Sequence, residues 1–147
     1  MVRERGPQSD LSFIVNGGLT ELENKIRHRI AGDSALNREV LLDASKALQA
    51  SYALAAISNE GDLGLIKIVF TWVHRVSDDY VILLKTNDSG ALCIFAFYCV
   101  LLKKLEHVWW MEGWGTYLME RIYWSLDSVH RLWIRWPMEE IGWYPGY

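Results

Sequence analysis

From Asn37 to about Ile57 apolar residues return at steps of three or four: Leu41, Ala44, Leu48, Tyr52 and Ala55 share one side of a helix. Arg38, Asp43, Lys46 and Gln49 take the other side, so the pattern predicts an amphipathic helix with one face in a core. Upstream, Leu22, Ile26 and Ile30 share a face, and Thr20 and Glu23 stand at capping-box spacing. A helix is therefore expected to start at Thr20 and to stop near Gly32. Beyond Asn59-Glu-Gly-Asp62, the stripe Ile66, Val69, Phe70, Val73 and Val76 predicts a third helix. Ser77 is placed to cap a fourth, with Asp78 and Asp79 in its first turn, where carboxylates meet the positive end of the helix dipole. Asn87-Asp-Ser-Gly90 reads as a turn.

The pattern then changes. From Ala91 to about His107 the chain is apolar nearly all round until Lys103, which in a globular chain marks a helix enclosed by its neighbours. Its twelve-residue apolar run, Ala91 to Leu102, falls short of the roughly twenty residues that span a bilayer. An aspartate at Phe95 is expected to abolish folding, because it buries a charge in this central helix. A further helix is predicted over Thr116 to Leu126, with Leu118, Met119, Ile122 and Leu126 inward, followed by a short one after Asp127. Pro137 fits the first turn of a last helical segment that Gly142 closes. Leu11 to Val15 is a short apolar patch stopped by Asn16-Gly17-Gly18, and its period selects neither helix nor strand. The sum is an all-α, compact multi-helix domain with a central buried helix and a tryptophan-rich C-terminal end. Residues 1–10 read as a leader and 11–147 as one helical domain, with no internal repeat or linker.

Composition adjusts this picture in three places. A length of 147 residues matches one core. A net charge of -3 gives no basic face for phosphates, so direct nucleic-acid binding is not expected. Cys93 and Cys99 are six residues apart on one helix, about 9 Å between Cα atoms, too far for a disulfide. They read as buried, reduced thiols, and with no signal-peptide apolar region near the N-terminus the expected location is intracellular, nuclear or cytoplasmic.

Candidate chemistry is sparse. His28, His74, His107 and His130 have no metal-ligand spacing, so no metal and no cofactor are expected. Glu139 and Glu140 point to different faces of a helix and form no acid/base pair. No glycine-rich phosphate loop, GxSxG or Ser-His-Asp signature is present, and no catalytic residue is assigned.

Seven of the eight tryptophans lie from Trp109 onward, which by itself means either a closed aromatic core or a site for a flat apolar ligand. The blocks that carry them are Ala91-Leu-Cys-Ile-Phe-Ala-Phe-Tyr-Cys-Val-Leu-Leu102, Trp109-Trp-Met-Glu-Gly-Trp-Gly115 and Ser128-Val-His-Arg-Leu-Trp-Ile-Arg-Trp-Pro-Met-Glu-Glu-Ile141. Together with Phe70-Thr-Trp-Val-His-Arg-Val-Ser-Asp-Asp-Tyr80 they resemble the C-terminal ligand-binding end of fungal zinc-cluster transcription regulators of the sterol uptake control type. The resemblance covers about half of the chain. It implies an all-α effector domain whose apolar pocket takes a sterol in the sterol-responsive members. This chain lacks the family's six-cysteine zinc cluster and is shorter than its usual effector region.

Under that resemblance the ligand-binding residues are Phe70, Phe95, Tyr98, Leu102, Trp110, Met111, Gly113, Trp114 and Leu118. Phe95, Tyr98 and Leu102 share a face of the central helix and would form a pocket floor, or else they are core. Trp110, Met111 and Trp114, beside Gly113 and Gly115, form either a flap over the pocket or a tight corner between helices. The expected partners are a sterol or another apolar small molecule, a related full-length regulator, and a second copy of the chain that buries part of the Trp109 to Trp143 region. The alternative is a small isomerase or cyclase of terpenoid or polyketide metabolism in the same pocket, with His107, Glu112 and His130 as the nearest acids or bases.

Overall fold

The computed structural model describes residues 18–28, 35–57, 61–105, 107–108 and 111–145, and all regular structure among them is helical. The leader, the Leu11 to Val15 patch, Ile30, Gly32, Trp109 and Trp110 lie outside the described residues. The helices are α1 (18–27), α2 (Ala35–Ile57), α3 (Gly61–Arg75), α4 (Asp78–Lys85), α5 (Ser89–Lys103), α6 (Trp114–Ser125), α7 (Ser128–Trp133) and α8 (Arg135–Ile141).

Short polar signals set most of the boundaries. Ser77, Asp88 and Asp127 each sit in extended backbone and accept a hydrogen bond from the amide three residues on, at Tyr80 (3.2 Å), Ala91 (3.0 Å) and His130 (2.8 Å). Between α4 and α5 the chain closes as a Schellman motif: Asp88 N–H donates to the Leu83 carbonyl (2.9 Å) and Asn87 N–H to that of Leu84 (3.0 Å). Asn87 takes the left-handed conformation this requires, φ 61°. The expected turn is thus shorter than Asn87 to Gly90, because Ser89 and Gly90 already belong to α5. Gly142, φ 84°, ends α8 as expected.

The central helix is α5. Every residue from Gly90 to Leu102 is buried except Phe95, with α2, α4, α6, α7 and α8 packed around it. Phe95 is half-buried at the edge, so a carboxylate placed there reaches solvent and is a poor probe of the core. On α2 the expected face holds, with Leu41, Ala44, Leu48 and Tyr52 buried. On α3 the buried line is rotated from the expected one: Val69 and Trp72 are fully buried while Val73 is exposed. The physical reason is Trp72, whose large ring turns the helix so that it faces inward.

Thr20 does not start its helix, since residues 18 and 19 are already helical. Glu23 therefore serves tertiary structure rather than a cap. Its buried carboxylate accepts from Gln49 Nε2 (3.1 Å) and Ser45 Oγ (3.4 Å) on α2, and Arg27 Nη2 lies 3.8 Å away. A buried carboxylate without such partners would cost several kcal/mol, so these bonds hold α1 against α2.

No single described helix is long and apolar enough to cross a membrane; α4 and α5 pass that test only as a pair bent by 103°.

Candidate ligand-binding site

The buried aromatics with polar tips form a closed circuit between helices. Trp72 on α3 donates its indole N–H to the Ala44 carbonyl on α2 (3.0 Å), Tyr52 on α2 donates its hydroxyl to the Phe97 carbonyl on α5, and Tyr98 on α5 donates to the Val69 carbonyl on α3 (3.1 Å). Tyr80 adds α4 by donating to the Ala91 carbonyl on α5 (2.8 Å). Each donor is satisfied by a helix carbonyl, whose second lone pair is free even when the first takes the helix bond. Burial pushes the Tyr52, Tyr80 and Tyr98 hydroxyls well above the ordinary tyrosine range, so they stay protonated donors.

The sequence-assigned residues fall on two sides of α5. Phe95 and Tyr98 come together with Trp72, with ring centroids 4.5 Å apart for Trp72–Tyr98, 5.6 Å for Phe95–Tyr98 and 6.2 Å for Trp72–Phe95. Tyr80 meets Trp72 edge-on at 5.7 Å. Phe70 packs half-buried on α3, and Leu102 is buried. On the other side, Met111 is buried, Leu118 is half-buried on α6, and Gly113 enters α6 with φ 83°. Trp114 points outward and meets Tyr117 edge-on at 5.9 Å. Trp110 lies outside the described residues.

Gly115 marks a close approach of α6 to α5. A Cβ there would lie 3.1 Å from the Cys99 carbonyl oxygen and 3.4 Å from the Lys103 nitrogen, so α6 rests directly on the α5 backbone. Cys99, beneath that contact, is free and buried, and burial raises its thiol far above the ordinary range. Cys93 is likewise buried and in no disulfide, its thiol donating to the His130 carbonyl (3.7 Å).

A cleft that the residue assignment above did not include opens between α1 and the α7–α8 corner. Its volume is about 370 Å³, and Phe97, Trp133, Trp136, Leu22 and Leu132 supply its apolar walls. Phe97 and Trp136 stack at 5.8 Å, and Gly18 packs against the edge of the buried Phe97 ring: a Cβ there would sit 3.4 Å from Cε2. Lys25 Nζ stands 5.8 Å from the Trp133 ring centre, and at the opposite rim Arg135 Nε lies 3.6 Å from Glu139 Oε2. The signal in the sequence was the pair Trp133 and Trp136, three apart. What it could not reveal is their convergence with Phe97, thirty-six residues earlier.

The acids and bases weighed for catalysis are dispersed in role. His130 Nδ1 lies 2.8 Å from Asp127 Oδ1, and that carboxylate also caps α7. The His130 backbone N–H and then its ring lower the Asp127 pKa. Glu112 is exposed beside Gly113, and His107 is exposed past the end of α5. None of the three lines the aromatic cleft. Among the described residues no group of three or more His, Cys, Asp or Glu is placed to hold a metal ion.

Comparison with protein-family models, with curated proteins and with solved structures finds no match to this chain.

Proposed function

We propose that this chain is a binding module for a flat apolar ligand, a sterol or a lipid of similar shape, and that the ligand enters the cleft between α1 and the α7–α8 corner. The observation that carries the reading is the cleft itself: the half-buried Trp133 and Trp136, the latter stacked on the buried Phe97, line about 370 Å³. Small-molecule sites usually occupy roughly 300–1,000 Å³, are mostly apolar and have a few polar groups for orientation. Lys25, Arg135, Glu21 and Glu139 supply the polar groups here, a larger share of the lining than in a purely apolar site. Binding is favoured over isomerase or cyclase chemistry because His107, Glu112 and His130 do not line this cleft, and of the two carboxylates that do, Glu21 and Glu139, the second is paired with Arg135. The resemblance to sterol-responsive regulators points the same way. It also suggests the partners, a second copy of the chain or a related full-length regulator that supplies DNA binding in the nucleus.

Titration of the protein with ergosterol while tryptophan emission is followed tests the ligand. Saturable quenching is expected, and Trp133→Phe with Trp136→Phe should remove most of it while Phe95→Leu should not. An unchanged spectrum, with no lipid retained by the purified protein in mass spectrometry, would overturn the reading. Co-precipitation with a related regulator tests the partner.

A further inference from the structure

The outward face of α6 carries Trp114, Tyr117, Arg121 and Trp124, at steps of three, four and three. This face lies opposite the buried Gly115, Met119 and Ile122, so it looks away from α5. Trp114, Tyr117 and Trp124 are 47%, 52% and 57% exposed, large values for aromatic side chains that share one stripe. The spacing reads the same from either end of the helix, about the level of Met119. Reversal exchanges Trp114 with Trp124 and Tyr117 with Arg121.

We infer that α6 pairs antiparallel with α6 of a second copy across a two-fold axis that crosses the outward face of the helix at the level of Met119. A two-fold interface must be self-complementary, residue i meeting j while j meets i, and this stripe satisfies that condition in both shape and charge. Arg121 Cζ already lies 5.8 Å from the Tyr117 ring centre within the chain, and in the pair each guanidinium faces Tyr117 of the other copy. Two shallow grooves flank Tyr117, one of about 330 Å³ along Glu112, Gly113 and Trp114, the other of about 320 Å³ along Arg121 and Trp124. Reversal seats Trp124 of one copy in the first groove and Trp114 in the second. Glu112 at one end of the stripe then approaches Arg131 of the other copy, which stacks on Trp124 at 5.1 Å. The inference rests on the homodimer part of the function proposed above and adds the helix and its register.

Sedimentation of the whole chain from 1 to about 100 μM measures association, and Trp124→Ala and Arg121→Glu are expected to weaken it at least tenfold, with unchanged circular dichroism showing that both variants fold. For register, Tyr117→Cys protein mixed with Arg121→Cys protein should give disulfide-linked heterodimers on mild oxidation, in higher yield than either variant alone; native Cys93 and Cys99 are buried and do not compete. A dimer that ignores both substitutions and fails to cross-link leaves the homodimer standing and overturns the α6 interface. A monomer at every concentration overturns both.

Discussion

Trp72 and Tyr98 lie face to face, ring centroids 4.5 Å apart, and their polar tips point to different helices: the indole N–H to Ala44 on α2, the hydroxyl to Val69 on α3. One stacked pair thereby fixes α2, α3 and α5 relative to one another. Hydrophobic area supplies most of the stabilisation, and the hydrogen bonds select the arrangement in which both donors are satisfied.

Trp72→Ala should cost about 3–5 kcal/mol, as truncation of a fully buried tryptophan does. Trp72→Phe keeps the stack and loses the donor, for a cost of about 1–2 kcal/mol. Denaturant unfolding of the two variants checks the order. Equal losses would mean that the bond to Ala44 carries the site and the ring does not.

Gly115 and Gly113 are two residues apart and constrained for different reasons. At Gly115 a methyl group meets the α5 backbone, so Gly115→Ala should force α6 away and destabilise by about 1–3 kcal/mol. At Gly113 space is open and only the left-handed conformation resists, so Gly113→Ala should cost about 1–2 kcal/mol and Gly113→Asn less. Hydrogen exchange of α5 amides near Cys99 separates them, because only the Gly115 variant should speed it.

Leu101 is fully buried on α5 where Phe95 is not. Leu101→Asp should therefore prevent folding at neutral pH, whereas Phe95→Asp should fold with lower stability, although the apolar run alone would lead one to expect both to fail. Circular dichroism and thermal unfolding of both decide it.

The buried hydroxyls make stability fall on the alkaline side. Burial raises Tyr52, Tyr80 and Tyr98 above the ordinary value of 10.0 in the folded state, while in the unfolded chain they ionise near that value. Their contribution is complete below pH 10.0 and is lost progressively above it, as the unfolded state gains the ionised form first. An absorbance titration of the seven tyrosines should show these three ionising only with cooperative alkaline unfolding. Smooth ionisation of all seven in the folded protein would contradict the burial.

What the sequence determined by itself was local. Three-to-four periodicity located α2 and α3, and Ser77 and Asp127 marked helix starts, because an oxygen three residues ahead of an amide is a short-range relation written in the order of residues. The apolar run of α5 foretold its burial, since no surface helix is apolar on all sides. The rotation of α3 around Trp72 was decided by tertiary structure, because an aromatic ring among several apolar candidates declares its direction only when its partners on α2 and α5 are in place. The same holds for Glu23, a helix-start signal by spacing and a buried acceptor in fact. Phe95 and Tyr98 were legible as one face, but that this face meets Trp72 was not. The cleft of Phe97, Trp133 and Trp136 depends on α1, α5, α7 and α8 converging, which is a property of packed helices and of no single stretch of chain.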